Sequence, residues 1–287
     1  MIAYYALSRN ILGKKTLLFI IWETATCGII STGEIRIGRI SMKIIISPAK
    51  QMQVDIEAFP CTRPQFLQQT KEILAQLQSM SMHELQQLWC CNNSLTEQNF
   101  ARIRNMNLEH NLTPAVLAYV GLQYTHMGPR VLEAEAWEYL CQSLRIVSGF
   151  YGLLRASDGV TPYRLEMQAK LALAGKKNIY QYWGSSLAKA LLKEDKVILN
   201  LASKEYSKAI EPYLGDDARF ISCVFGCSDK KGGYKVKATE AKMARGSMVR
   251  WCAEHNAQRP EDVQSFDIFG YEYKPELSSA QEYVFIK

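Results

Sequence analysis

Twenty residues, Ser148–Met167 (SGFYGLLRASDGVTPYRLEM), gather three glycines, two tyrosines, two arginines and one proline behind the apolar run Leu144–Val147. Gly149 and Gly152 stand three apart around Phe150 and Tyr151. That spacing lets a backbone turn tightly and approach another group closely. Arg155 and Arg164 bring fixed positive charge to the same stretch. A glycine turn beside arginines is chemistry for phosphate, and phosphate points to a nucleotide or a nucleic acid.

Three further groups carry chemistry. Ser47-Pro48-Ala49-Lys50 has the S-x-x-K spacing that puts a nucleophile and its activating lysine on one helical turn in penicillin-recognising enzymes. Here it follows a strand, without the S-D-N and K-T-G partners. Lys50 at a strand end equally suits a ligand or a carboxylate. Asp158 and Glu166 offer acid–base chemistry or ion pairs with Arg155 and Arg164; the ion-pair reading is preferred. Lys204 and Lys208 stand four apart, and Lys242 and Arg245 three apart with Arg250 beyond, so two helices would each carry a basic face. There is no phosphate-binding G-x-x-x-x-G-K-[ST], no dinucleotide glycine fingerprint and no H-E-x-x-H, so nucleotide and zinc hydrolysis have no support.

The 287 residues carry a net charge of +6, unevenly distributed. Residues 145–250 hold nineteen basic against ten acidic side chains, whereas residues 42–144 and 251–287 are each net negative. A basic block of this kind favours polyanions. The composition, 48% hydrophobic and 22% charged, is that of a globular protein able to bury a core without metal or disulfide staples. Eight scattered cysteines and four scattered histidines form no ligand array. Reduced thiols and no tight metal site are expected.

Residues 1–41 look foreign to the rest. Their apolar run Leu17–Trp22 is far shorter than the roughly 20 residues that span a bilayer. They read as a disordered tail or an upstream translation artefact, with Met42 as the start and no membrane partner.

Elements that must position these groups can be read from periodicity. Lys43–Ile46, Leu144–Val147, Val197–Leu201, 219–225, 234–237 and 282–286 read as strands. Helices are expected near 66–77, at 81–91 with a Ser81/Glu84 capping box, to about Arg104, after Thr113-Pro114, and at 132–143, 178–193, 203–214 and 238–256. Without regular alternation of the two, the fold class is α+β, a single domain over 42–287 with a mixed β-sheet surrounded by helices.

Together, SPAK, the Ser148–Met167 stretch, NIYQYWG (Asn178–Gly184), NLASKEY (Asn200–Tyr206) and AKMARGSMVR (Ala241–Arg250) resemble the peroxide stress protein YaaA family in order and spacing from 42 to 287. The resemblance implies a bacterial cytoplasmic protein of the hydrogen peroxide response, linked to DNA repair and to limiting free iron. It implies binding of double-stranded and branched DNA in a positive cleft, through a helix-hairpin-helix element. That hairpin is placed on Ser148–Leu154, although the usual G-h-G core is absent. Gly121–Met127 (GLQYTHM) departs from the family's G-D-x-Y-x-G, with Leu122 and His126 in place of the acidic residue and the second glycine.

The expected function is therefore non-catalytic, sequence-independent DNA binding without a cofactor. Lys50, Arg155, Arg164, Lys204, Lys208, Lys242, Arg245 and Arg250 would contact phosphates. Gly149, Tyr151 and Gly152 would shape the hairpin, and Tyr163 would stack on an unpaired base. The alternative is an enzyme acting on a phosphorylated or nucleic-acid substrate with Ser47, Lys50, Asp158 and Glu166.

Overall fold

Ile44, Ile45 and Ile46 are each wholly buried, which an unbroken apolar run achieves only when both faces of its strand are covered. In the computed structural model this strand, β1 (Lys43–Ile46), lies inside an eight-stranded mixed sheet. The structure describes residues 42–55, 60–229 and 233–287, and the backbone alone of three strands within 5–30. Residues 1–39 and 40–287 form two separate units.

The other strands of this sheet are β2 (Leu144–Ser148), β3 (Gly152–Arg155), β4 (Val197–Asn200), β5 (Arg219–Ser228), β6 (Tyr234–Lys235), β7 (Glu272–Tyr273) and β8 (Glu282–Ile286). Their spatial order is β7-β8-β5-β4-β1-β2-β3, with β6 against the end of β5. The five central strands, β8 to β2, run parallel. β3, β6 and β7 pair antiparallel at the margins. The α+β class with a mixed sheet is therefore as expected. β1 is the first of these strands in the chain yet sits in the middle. The chain leaves it toward β2, then returns to build β4, β5 and β8 on its other side. The order reverses between β1 and β4, a switch point beyond whose carboxyl ends α/β sheets bind ligands.

Besides the single turn Ala115–Ala118 that follows Thr113-Pro114, the helices are α1 (Leu67–Ser79), α2 (Met82–Trp89), α3 (Asn93–Arg104), α4 (Leu122–Met127), α5 (Ala134–Ser143), α6 (Ile179–Trp183), α7 (Ser186–Glu194), α8 (Lys204–Ser207) and α9 (Ala238–Glu254). The Ser81/Glu84 capping box is formed as expected. Two expected helices break. That over 178–193 divides at Gly184, whose φ of 47° is left-handed. That over 203–214 stops after one turn and resumes as a 3-10 turn at Glu211–Tyr213, because Pro212 has no N–H with which to continue it.

The smaller unit is an antiparallel meander of Tyr5–Ile11, Lys14–Glu23 and Thr26–Ile30. The side chains of 1–41, on which the expectation of a tail or artefact falls, lie outside the described residues. So do residues 230–232. Among the described residues no helix is long and apolar enough to cross a membrane.

Candidate functional site

Ser148–Met167 forms no helix-hairpin-helix. Ser148 pairs with Gly152 across a β-hairpin between β2 and β3, and its turn is buried. Gly152 needs its glycine, because its φ is 76°. Gly149 needs its own, because a Cβ there would lie 2.8 Å from the Leu165 carbonyl. The Trp183 indole donates to the Gly149 carbonyl at 2.9 Å. Tyr151 is 1% exposed and Tyr163 5%. Tyr163 exchanges hydrogen bonds with Ser148 (2.6 Å) and Tyr119 (2.7 Å), and burial pushes its phenol up to about 12. The glycines and tyrosines expected to meet DNA thus build core, where the two aromatic rings bury large apolar area and their hydroxyls find partners. Tyr163→Phe removes the middle of this buried hydroxyl chain. It should cost about 1–3 kcal/mol, read from denaturant unfolding with an unchanged m-value.

The hairpin also separates two arginines that are near in sequence. Arg155 pairs in register with Arg145, at the amino end of β2. Arg164 lies at the opposite end, because Leu165 and Glu166 abut Gly149. Four steps along the strand, from Arg145 to Gly149, separate them, about 13 Å.

A polar cluster gathers at that opposite end, beyond the carboxyl ends of β1 and β4 and so at the switch point. Ser47 Oγ accepts the Ser203 N–H (2.8 Å) and donates to Ser203 Oγ (3.2 Å). Gln123 and Tyr124 of α4 both donate to the Ser47 carbonyl, at 3.2 and 3.0 Å. Lys50 Nζ and Arg164 Nη2 each lie 3.2 Å from Glu166 Oε1. These contacts neutralise Glu166 without aligned hydrogen bonds, since Glu166 Oε1 and Arg164 Nε are both buried with no hydrogen-bond partner. Glu205 follows on α8. Burial first, then the Glu166 charge, raises its carboxyl above the ordinary 4.5. Burial drives the neighbouring Tyr206 phenol far up, keeping it neutral. No Ser–Lys dyad forms, because Ser47 is engaged by Ser203 and Lys50 by Glu166.

The remaining cations divide by exposure. Lys50 and Lys204 side chains are 66% and 76% exposed. Lys208 and Lys242 are also exposed. Lys242 lies on α9 between two anchors at this end of the sheet. Glu240 bonds Cys227 at the end of β5 and Lys287 after β8, and Gly246 lies against Gln123. Arg245 is largely buried, with an unpartnered Nε. Arg250 pairs with Glu254 at 2.8 Å. In the sequence Ser203 stands out only as the start of the expected helix 203–214, and Gln123, Tyr124, Glu205 and Tyr206 carry no signal of a site. The available signal is that SPAK and NLASKEY each follow a buried strand, and parallel neighbours bring such ends together.

Asp158 belongs to the other end. Its carboxylate accepts the Thr62 hydroxyl (2.7 Å) and the Arg155 N–H (2.8 Å). Burial, the largest influence, raises its carboxyl above 3.8. The folded state therefore holds this proton more tightly than the unfolded state does. That contribution is fully present below the unfolded value and is lost as pH rises through the folded one. The deficit of an Asp158→Asn variant against the parent should accordingly narrow as pH rises from about 4 to about 6, followed by thermal unfolding.

Comparison with known proteins decides the family. A model described as peroxide stress protein YaaA matches residues 42–277. The chain belongs to the peroxide stress protein YaaA family. A relative from Lachnoclostridium phytofermentans, called UPF0246 protein, is 50% identical over 248 residues, which cover 86% of this chain and 96% of its own. Another of that name, from Ligilactobacillus salivarius, is 47% identical over 247 residues, covering 86% of this chain and all of its own. The matched family region contains both ends of the sheet, and so both polar clusters.

Proposed function

We propose that this YaaA-family protein binds duplex and branched DNA in the bacterial cytoplasm during peroxide stress, through the phosphate backbone and without reading bases. The observation that carries this reading is the set of exposed lysines, Lys50, Lys204, Lys208 and Lys242, on three segments converging at the carboxyl ends of the parallel strands. Lysines are flexible point charges, which suit phosphate attraction and carry no base code. Arg164 and Arg245 are too buried to reach a duplex, and Arg164 pairs with Glu166 beneath. DNA held there is shielded, and protection from iron-driven damage follows from that.

The test is a mobility shift series on duplex and junction DNA at rising salt. Affinity should fall linearly with salt on logarithmic axes and be equal for unrelated sequences. Salt-insensitive or sequence-dependent binding defeats the reading.

Glu166 Oε1, ion-paired but without a hydrogen bond, and the Arg164 Nε without one favour a second reading, in which this end acts on a phosphorylated substrate with Ser47, Lys50 and Glu166. Asp158 drops out, being at the other end. A turnover abolished in Glu166→Gln while DNA affinity is kept would favour this reading over simple binding.

A further inference from the structure

The end of the sheet away from the lysines holds a cavity of about 300 Å3, lined by Arg63, Gln65, Arg145, Arg155, Asp158 and Glu194 among others. That volume lies at the small end of ligand pockets, which run from about 300 to 1,000 Å3. Its charges are not equivalent. Arg145 is buried and grips Glu194 through both Nε and Nη2. Asp158 is turned inward, onto Thr62 and the Arg155 N–H. Arg63 and Arg155 are exposed, and among the described residues neither guanidinium has a hydrogen bond or ion pair of its own. At longer range Arg63 faces the charge of Glu109, and Arg155 those of Asp158 and of the like-charged Lys43.

Two features make this a built arrangement and not a chance meeting of surface side chains. Arg145 and Arg155 are direct cross-strand partners, so their side chains project from the same face of the sheet, where like charges repel. Glu194 is shared by Arg145 and by Lys43 (3.8 Å), so it leaves Arg155 without an ion pair. Arg63 is carried there by Thr62, whose N–H donates to Ser157 (2.9 Å), whose carbonyl accepts from Gly159 (2.9 Å) and whose hydroxyl binds Asp158. Backbone stitching on both sides therefore holds the two free guanidiniums at one mouth.

We propose that this cavity binds the phosphoryl dianion of a small phosphate monoester, clamped between Arg63 and Arg155. Guanidinium forks match phosphate oxygens in pairs, and a dianion compensates two cations where a carboxylate compensates one. Gln65 and the apolar Leu153 are left for the organic part. The site is distinct from the lysine surface, because the length of β1 and β2 lies between them.

The test is calorimetric titration of the full-length protein with ribose 5-phosphate, inorganic phosphate and ribose. Ribose 5-phosphate should bind, inorganic phosphate more weakly, and ribose not at all. Arg63→Gln and Arg155→Gln should each weaken binding about tenfold or more. Arg155→Lys, which keeps charge without the fork, should fall between, with thermal unfolding verifying that each variant is folded. Saturating duplex DNA should not displace the sugar phosphate, which separates this site from the DNA reading whatever the fate of the latter. The proposal is overturned if neither phosphate binds, if inorganic phosphate alone binds, if folded glutamine variants bind like the parent, or if DNA competes.

Discussion

Gly246→Ala should unfold roughly 10 °C below the parent. Gly246 sits in the middle of α9 where that helix crosses α4, and a Cβ there would collide with the Gln123 carbonyl and lie 2.8 Å from its carbon. Both are backbone atoms, so no rotamer change relieves the overlap and the helices must part. Overpacking typically costs about 1–3 kcal/mol, and a backbone clash belongs at the upper end. For a domain of this size each kcal/mol lowers the midpoint by about 2–4 °C. The displacement also reaches the polar cluster, because Gln123 and Tyr124 hold the Ser47 carbonyl. Gly215→Ala is the control. Its Cβ would meet only the Asp217 side chain, at 3.2 Å, and it should melt within a degree or two of the parent. A Gly246→Ala protein melting with this control would mean that α4 and α9 do not approach as described.

The second large effect concerns DNA. Neutralising Lys50, Lys204 and Lys242 together to glutamine should weaken duplex binding about a hundredfold at physiological salt and lower the salt slope by about 3. These lysines lie on three separate segments, so no single helix is at risk. Glutamine is preferred to glutamate at position 50 because Glu166 and Glu205 already occupy that neighbourhood. The same triple should leave binding at the Arg63–Arg155 cavity unchanged. Fluorescence anisotropy on two unrelated duplexes reads both effects. Loss on one sequence only would point to base contacts and away from the backbone.

The bases for these expectations were unequally legible in the amino-acid chain. β1, β4 and β8 hold short apolar runs, and β2 one interrupted only by Arg145, so their existence and burial follow from composition along a few residues. The Ser81 capping box and α9 are likewise local patterns with local causes. The family is legible too, because its five motifs are short and ordered. Ser148–Leu154 misleads for an equally physical reason. A glycine turn that approaches phosphate and one that approaches the Leu165 carbonyl require the same residues, and only the neighbour differs. The two arginines of that stretch mislead because the hairpin carries Arg155 to its open end and the chain after it returns Arg164 to the turn.

From its sequence alone this protein is determined to be an α+β chain of the YaaA family with a basic segment over 145–250, since patterning and charge are properties of residues in order. Tertiary structure decided which of those residues face solvent and which ends of the strands they share. It buried Gly149, Tyr151, Gly152 and Tyr163, set Arg164 under Lys50 against Glu166, and sent Arg155 and Asp158 to the other end of the sheet. Those outcomes depend on strand order and direction, which long-range pairing of β1 with β2 and β4 fixes and no local spacing encodes.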